Sequence, residues 1–200
     1  MKYPSLLLLT LAFGATMVSG GETPQPLPRD SVYQSTARLT DDHSKQFAWS
    51  SKRGQPQIVS MFYTSCKFTC PLIIDSAKTI ESSLTADDRA RLGITMISFD
   101  PSRDTPQALA RVRADHDLDS VRWTLARPAP QDVRAIAALL NIRYRALADG
   151  DFNHTSALVL LDADGRVVAR TERIGGAPDP AFVAAVRQTL RSAREHALQD

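Results

Sequence analysis

Ile58-Val59-Ser60-Met61-Phe62-Tyr63 runs without a break into Thr64-Ser65-Cys66-Lys67-Phe68-Thr69-Cys70-Pro71. The first six residues are apolar or β-branched enough for a strand buried on both faces. Beyond Pro71 the apolar residues Leu72, Ile73, Ala77, Ile80 and Leu84 recur three and four apart, which is a helical period. A cysteine pair therefore lies in the turn between a buried strand and a helix. In open α/β sheets that turn sits at the carboxyl ends of the strands, where ligands bind. The amides of the helix N-terminus and the neighbouring Lys67 favour thiolate over thiol. Pro71 just inside the helix costs no hydrogen bond and sets the chain direction. Both sulfurs are expected to be presented and activated.

Working outward, Ile94 to Phe99 reads as a second buried strand. Pro106 to His116 reads as a helix, with Asp104 or Thr105 as its cap. Arg122 to Leu125 is a short strand, and Gln131 to Leu140 a helix with Val133, Ile136, Ala137 and Leu140 on one face. Ser156 to Leu161 and Arg166 to Thr171 flank the turn Asp162-Ala163-Asp164-Gly165, a hairpin signal. Asp179 to His196 closes the chain as an amphipathic helix. Strands alternating with helices require right-handed crossovers and a central parallel pair, and the hairpin adds antiparallel strands at one side. The expected fold is α/β: a thioredoxin-like three-layer sandwich around a central mixed sheet. Met61 and Met96 fall inside strands and are expected in the core.

The whole chain has 200 residues, 43% hydrophobic and 23% charged, which suits one folded domain and excludes a wholly disordered or multispanning protein. Its 24 cations are interleaved with 22 anions, for a net charge of +2, so no concentrated basic face suggests nucleic acid as a partner. Lys2 precedes Ser5 to Val18, an uncharged run of 14 residues, and Ser19, Gly20 and Gly21 follow. This is the pattern of a secretory signal peptide over 1–20. The apolar run is short of the ~20 residues of a membrane span, which leaves an uncleaved anchor as the weaker alternative. Pro24, Pro26 and Pro28 make 21–30 an extended linker, and 31–200 the folded domain. An exported location follows, in the periplasm or at the outer face of the inner membrane.

Export changes what two cysteines mean. Two thiols outside the cytoplasm are oxidised unless a dedicated system reduces them or a metal occupies them. A plain disulfide stapling the loop remains one reading. Thioredoxin-type enzymes place two residues between their cysteines; this chain places three, giving both sulfurs room to face one external atom. Thiolates select Cu(I), Zn or iron–sulfur clusters. Two are too few for a cluster or a closed four-sulfur zinc site, so a trigonal site needs one more donor. Of the four histidines, His43, His116 and His196 lie in polar contexts and read as surface residues. His154, in Asp151-Phe152-Asn153-His154-Thr155-Ser156, precedes an apolar strand where the fold places a loop facing the cysteines. It reads as a ligand or as a structural histidine.

Three blocks of this sequence resemble the SCO/SenC family of copper-binding proteins. They are Phe62-Tyr63-Thr64-Ser65-Cys66-x-x-x-Cys70-Pro71, Ser98-Phe99-Asp100-Pro101-Ser102-Arg103-Asp104-Thr105-Pro106, and Asn153-His154-Thr155. They occur in family order, within a match from about Leu39 to Arg170. The resemblance implies a thioredoxin fold, an exported and membrane-facing location, and a role in building the copper centre of cytochrome oxidase. It implies copper ligation, as Cu(I) and also Cu(II), by Cys66, Cys70 and His154. Asp100 is implied as a supporting residue behind the ligands. The expected partner is a cytochrome oxidase copper-site subunit or another copper chaperone, with the protein itself a monomer near the membrane. The position before the histidine is often aspartate in the family and is Asn153 here, which removes a negative charge. A thiol–disulfide oxidoreductase acting through Cys66 and Cys70, which needs no histidine, is the competing function. A peroxide-reducing enzyme, with one cysteine attacking and one resolving, is the third.

Overall fold

The computed structural model describes residues 25–198; the expected signal peptide, residues 1–20, lies outside them. The strands and helices, in chain order, are β1 (Arg38–Asp41), β2 (Gln46–Ala48), β3 (Gln57–Phe62), α1 (Thr69–Ser82), α2 (Ala86–Arg91), β4 (Gly93–Ser98), α3 (Pro106–Asp115), β5 (Trp123–Pro128), α4 (Val133–Leu139), β6 (Tyr144–Ala146), β7 (Phe152–His154), β8 (Leu158–Leu161), β9 (Val167–Thr171) and α5 (Pro180–His196). Seven strands form one sheet in the order β2-β1-β5-β4-β3-β8-β9, and β6 and β7 form a small sheet of their own. The fold is the expected thioredoxin-like mixed α/β one.

Every residue of β3 and β4 is buried. Since successive side chains point to opposite faces, both faces of the sheet must be covered, and helices are what cover them. Each fully buried aliphatic side chain such as Ile58, Val59 or Ile94 contributes about 1.5–3 kcal/mol. Met61 and Met96 are both fully buried, as expected of core residues.

Three details depart from expectation. The parallel set is three strands, not a pair, because β5 returns by way of α3 to lie parallel beside β4. The β1–β2 hairpin escapes a search for apolar runs, since its strands are short and half polar; it adds to the far side of β5. Leu72 shares the helical spacing of α1 but is 47% exposed, so the buried stripe runs through Ile73, Ile74, Ala77 and Ile80. In the turn between β8 and β9, Gly165 adopts φ +82° against Tyr33 and Ser31. A Cβ there would lie 2.5 Å from the Tyr33 ring, so both the conformation and the space require glycine.

Arg113 of α3 ties this side together. Its guanidinium donates to both carboxylate oxygens of Asp42, at 2.5 and 2.9 Å, and to the carbonyls of Leu118 and Trp123. Burial opposes ionisation of Asp42, but the bond and charge of Arg113 outweigh it and hold its carboxyl below the usual range. A carboxyl with a lowered folded pKa contributes stability above its unfolded pKa, about 3.9, and loses it as pH falls through the folded value. Arg113→Ala is therefore expected to cost about 3–5 kcal/mol at pH 7, since it strands a buried charge. Denaturant titrations at pH 7 and pH 3 should show a smaller difference for Asp42→Asn than for the wild type. An unchanged difference would assign the acid sensitivity elsewhere.

Candidate metal centre

Strand register brings the three sequence blocks to one edge. β3 and β4 run parallel with Phe62 beside Ser98, and the Phe99 amide continues the ladder by donating to the Phe62 carbonyl at 3.0 Å. The turn after β3, with both cysteines, therefore lies beside the turn holding Asp100 and Asp104. On the other side β8 is antiparallel to β3, with Val59 beside Val159. The residues just before β8 thus sit beyond the carboxyl end of β3, and these include His154.

Cys66, Cys70 and His154 each offer a ligand atom, and the three atoms lie within 4.8 Å of one another. A central point is then no more than about 2.8 Å from each, against metal–sulfur and metal–nitrogen bonds of about 2.3 and 2.0 Å. Closing by about 0.5 Å at each sulfur and about 0.8 Å at the nitrogen would complete a trigonal set of two soft sulfurs and one imidazole. No other such group of His, Cys, Asp or Glu occurs among the described residues. His43 and His196 are exposed, and His116 ends α3 beside Asp75 at 3.6 Å, so none of the three reaches the cysteines.

The two thiols are free and differ in kind. Helix α1 has no side-chain cap from Phe68; instead the Cys66 sulfur accepts the Cys70 amide at 3.3 Å. Partial burial would raise the Cys66 pKa, but the Cys70 and Phe68 amides, the Cys70 thiol and the Tyr63 hydroxyl outweigh it, so the net shift is downward. Cys70 is 2% exposed. Burial drives its pKa far upward, and the charges of Cys66 and Asp104 add to this. The expectation of two activated, exposed sulfurs is corrected to one. Lys67 is exposed and is not among the principal groups acting on Cys66; the helix amides do that work.

His154 is half-buried at the end of β7. Its ring lies 4.9 Å from that of Phe99 and 6.0 Å from that of Tyr63, centroid to centroid. Nδ1 lies 3.3 Å from the Thr155 carbonyl. A carbonyl only accepts, so Nδ1 carries the proton and Nε2 is left as the free donor atom. Burial lowers the His154 pKa, opposed by the Thr155 carbonyl and by Asp151, and so favours the neutral, ligating form.

Around these three stand residues with positioning roles. Asp104 is fully buried. It accepts the Thr64 amide at 3.1 and 3.2 Å, the Thr64 hydroxyl at 2.6 Å and the Ser98 hydroxyl, and so fixes the chain two residues before Cys66. It does not cap α3; Thr105 does, through the Ala108 amide. Asp100 accepts from Ser102 and pairs with Arg103, and its amide donates to the Ser98 hydroxyl. It reaches the His154 segment through Arg103, whose other end donates to the Gly150 carbonyl. The Tyr63 hydroxyl donates to Asp151. Tyr63 lies within the first of the three sequence blocks and Asp151 shortly before the third, but the sequence singled out neither for a role.

The SCO1/SenC family model matches residues 27–191. The chain belongs to the SCO1/SenC family. A Stutzerimonas stutzeri protein named as copper-binding is 30% identical over 83 residues, which is 42% of this chain and 40% of that protein. Less than half of that relative's length is therefore matched. Bradyrhizobium japonicum ScoI, solved with copper bound, superposes with a TM-score of 0.65 at 22% identity, covering 76% of this chain and 96% of that one. BsSco, described with a disulfide switch and as a member of the Sco family of cytochrome c oxidase assembly proteins, superposes at 0.66 with 18% identity, covering 76% and 90%. These SCO1/SenC likenesses in structure share the fold. The first two sequence blocks quoted above build the cysteine turn and its Asp104 anchor, and the third supplies the imidazole.

Proposed function

We propose that this protein is an exported copper metallochaperone that holds one copper ion through Cys66, Cys70 and His154. It would deliver the ion during assembly of the copper centre of cytochrome c oxidase. The observation that carries this reading is the convergence of two sulfurs and one imidazole within 4.8 Å, a soft donor set that suits Cu(I) and accommodates Cu(II). Membership of the SCO1/SenC family and the copper-bound ScoI relative support it. Residues 1–20 serve as the export signal, 21–30 as the linker and 31–200 as the copper-carrying domain. The acceptor is a cytochrome oxidase copper-site subunit or another copper chaperone, met near the membrane. No described helix is long and apolar enough to cross a membrane.

The ligands would act unequally in transfer. Cys70 is buried, while Cys66 and His154 are partly exposed, so an acceptor's sulfur approaches on their side and displaces one of them first. Loading must remove the Cys70 proton, which burial holds tightly, so affinity should rise with pH.

Anaerobic Cu(I) titration of the reduced protein tests the reading. One ion per chain is expected to bind tightly. His154→Ala should weaken binding by more than the about ten- to a hundredfold lost when only a ligand's supporting partner is removed, and removal of either cysteine should abolish it. Unchanged affinity in His154→Ala would overturn the three-ligand site.

The unequal thiols favour a second reading. An accessible, acidic Cys66 beside a buried Cys70 suits a reductant in which Cys66 thiolate attacks a substrate disulfide and releases one thiol. Cys70 then attacks the mixed disulfide, releases the second thiol and leaves Cys66–Cys70 oxidised. Reduction of a copper-site peptide that survives His154→Ala undiminished would favour this activity over metal delivery.

A further inference from the structure

The strand carrying His154 is not part of the main sheet. β6 and β7 pair only with each other, Tyr144 opposite His154 and Ala146 opposite Phe152. A two-stranded hairpin is marginal on its own in water. Where the imidazole sits therefore depends on what holds the hairpin to the body of the protein. Aromatic packing of Phe99 against Phe152 and Tyr144 is one attachment, and it is not directional. Directional bonds come from two side chains. Tyr63 donates to Asp151. Arg103, at the turn after β4, pairs with Asp100 through Nε, donates to the Gly150 carbonyl at 2.5 Å through its terminal nitrogen, and lies 5.7 Å from the centre of the Phe152 ring.

We propose that Arg103 is a positioning residue, a forked latch that joins the Asp100 turn to the His154 hairpin and so holds the third ligand in place beside Cys66 and Cys70. This rests on the reading of His154 as a copper ligand. Asp100 acts at one remove. Already bonded to Ser102, it orients the guanidinium that reaches the hairpin. Guanidinium is suited to the task because its planar fork makes two hydrogen bonds in different directions while its face covers an aromatic ring. A lysine ammonium at this position keeps the charge but cannot span both partners. The latch costs little to open, since Arg103 is 46% exposed. The hairpin can therefore be released when an acceptor takes the metal.

The test has a readout that needs no metal. In metal-free protein, amide hydrogen exchange is followed at Thr155 and Leu147, whose amides donate to the Arg143 and Asp151 carbonyls, and at Met61 and Ile97 in the central sheet. Arg103→Ala is expected to speed exchange at Thr155 and Leu147 about tenfold or more and to leave Met61 and Ile97 unchanged. Arg103→Lys should behave like the alanine variant. Cu(I) affinity by competition with a chelator should fall about tenfold in Arg103→Ala. It should fall no further when the same change is made in a His154→Ala background, because the latch acts only through that imidazole. Wild-type exchange rates in Arg103→Ala would overturn the proposal. So would full rescue by lysine, or an equal loss of affinity with and without His154. Should His154→Ala alone bind copper as the wild type does, the three-ligand reading fails, and the exchange rates still decide whether Arg103 holds the hairpin.

Discussion

Brief treatment of the reduced protein with iodoacetamide near neutral pH should modify Cys66 and leave Cys70 almost untouched. Two effects act in the same direction. The thiolate is the reactive form, and the Cys66 thiolate is favoured by the amides at the start of α1, against a burial penalty that alone would raise its pKa. Cys70 is 2% exposed and strongly held as the thiol, by burial first and then by neighbouring negative charge. Reagent reaches Cys70 only when the turn opens. An opening that costs about 3 kcal/mol suppresses its reaction on the order of a hundredfold, before any difference in thiolate fraction is counted. Peptide mapping by mass spectrometry measures the ratio directly. Comparable labelling of both residues would remove the asymmetry on which the proposed order of ligand displacement depends. As pH rises the Cys66 rate should climb and level off below the pH usual for a free thiol, because its pKa is lowered. A plateau at the ordinary thiol range would mean that the helix amides do not act on it.

How much of this could be read in the sequence depends on which force sets each feature. Apolar runs and helical spacing report burial, and burial decides β3, β4, α1, α4 and α5, while the Thr105 cap and Pro106 mark α3, so these were legible to within a few residues. The β1–β2 hairpin and α2 are polar and short, held by pairing to β5 and by the Thr85 cap, and no periodicity announces them. The candidate ligands Cys66, Cys70 and His154 stood out in the sequence because their residue types are chemically unusual and adjoin strand and helix ends. Their unequal ionisation was not, because it depends on which sulfur the first turn of α1 folds over. The helix amides and Lys67, next to Cys66 in the chain, were both expected to favour the thiolate. The amides do so, and Lys67 is not among the principal groups acting on it. Arg103 and Asp104 were visible as part of a turn, but only the parallel register of β3 and β4 shows what they hold. One reaches across to Gly150 and the other back to Thr64.

Replacing Asp104 should be among the most damaging single changes in this domain, and the pattern of damage should reveal its role. Asp104→Ala leaves the half-buried Thr64 amide and hydroxyl and the fully buried Ser98 hydroxyl without their acceptor. At about 1–3 kcal/mol for each buried donor left unmade, a loss of about 3–5 kcal/mol is expected, a large part of the 5–15 kcal/mol typical of a folded domain. Asp104→Asn keeps the shape and one accepting oxygen, so it should be milder. It also separates charge from hydrogen bonding. Burial raises the Asp104 pKa in spite of its Ser98 and Thr64 donors. A carboxyl with a raised folded pKa favours the folded state at pH below its unfolded value, about 3.9, and loses that contribution as pH rises through the folded value. Its contribution thus runs opposite to that of Asp42, whose pKa is lowered. Denaturant unfolding of Asp104→Asn between pH 4 and 7 should therefore lack a decline with rising pH that the wild type retains. The same variant removes a negative charge that helps to hold Cys70 protonated, after burial itself, so Cys70 should become more reactive to iodoacetamide while Cys66 changes little. A stable Asp104→Ala protein with wild-type labelling at both cysteines would show that the Thr64 anchor does not organise the turn. Loss of stability together with a Cys70 newly open to reagent would show that one buried carboxylate sets both the position of the loop and the inequality of its sulfurs.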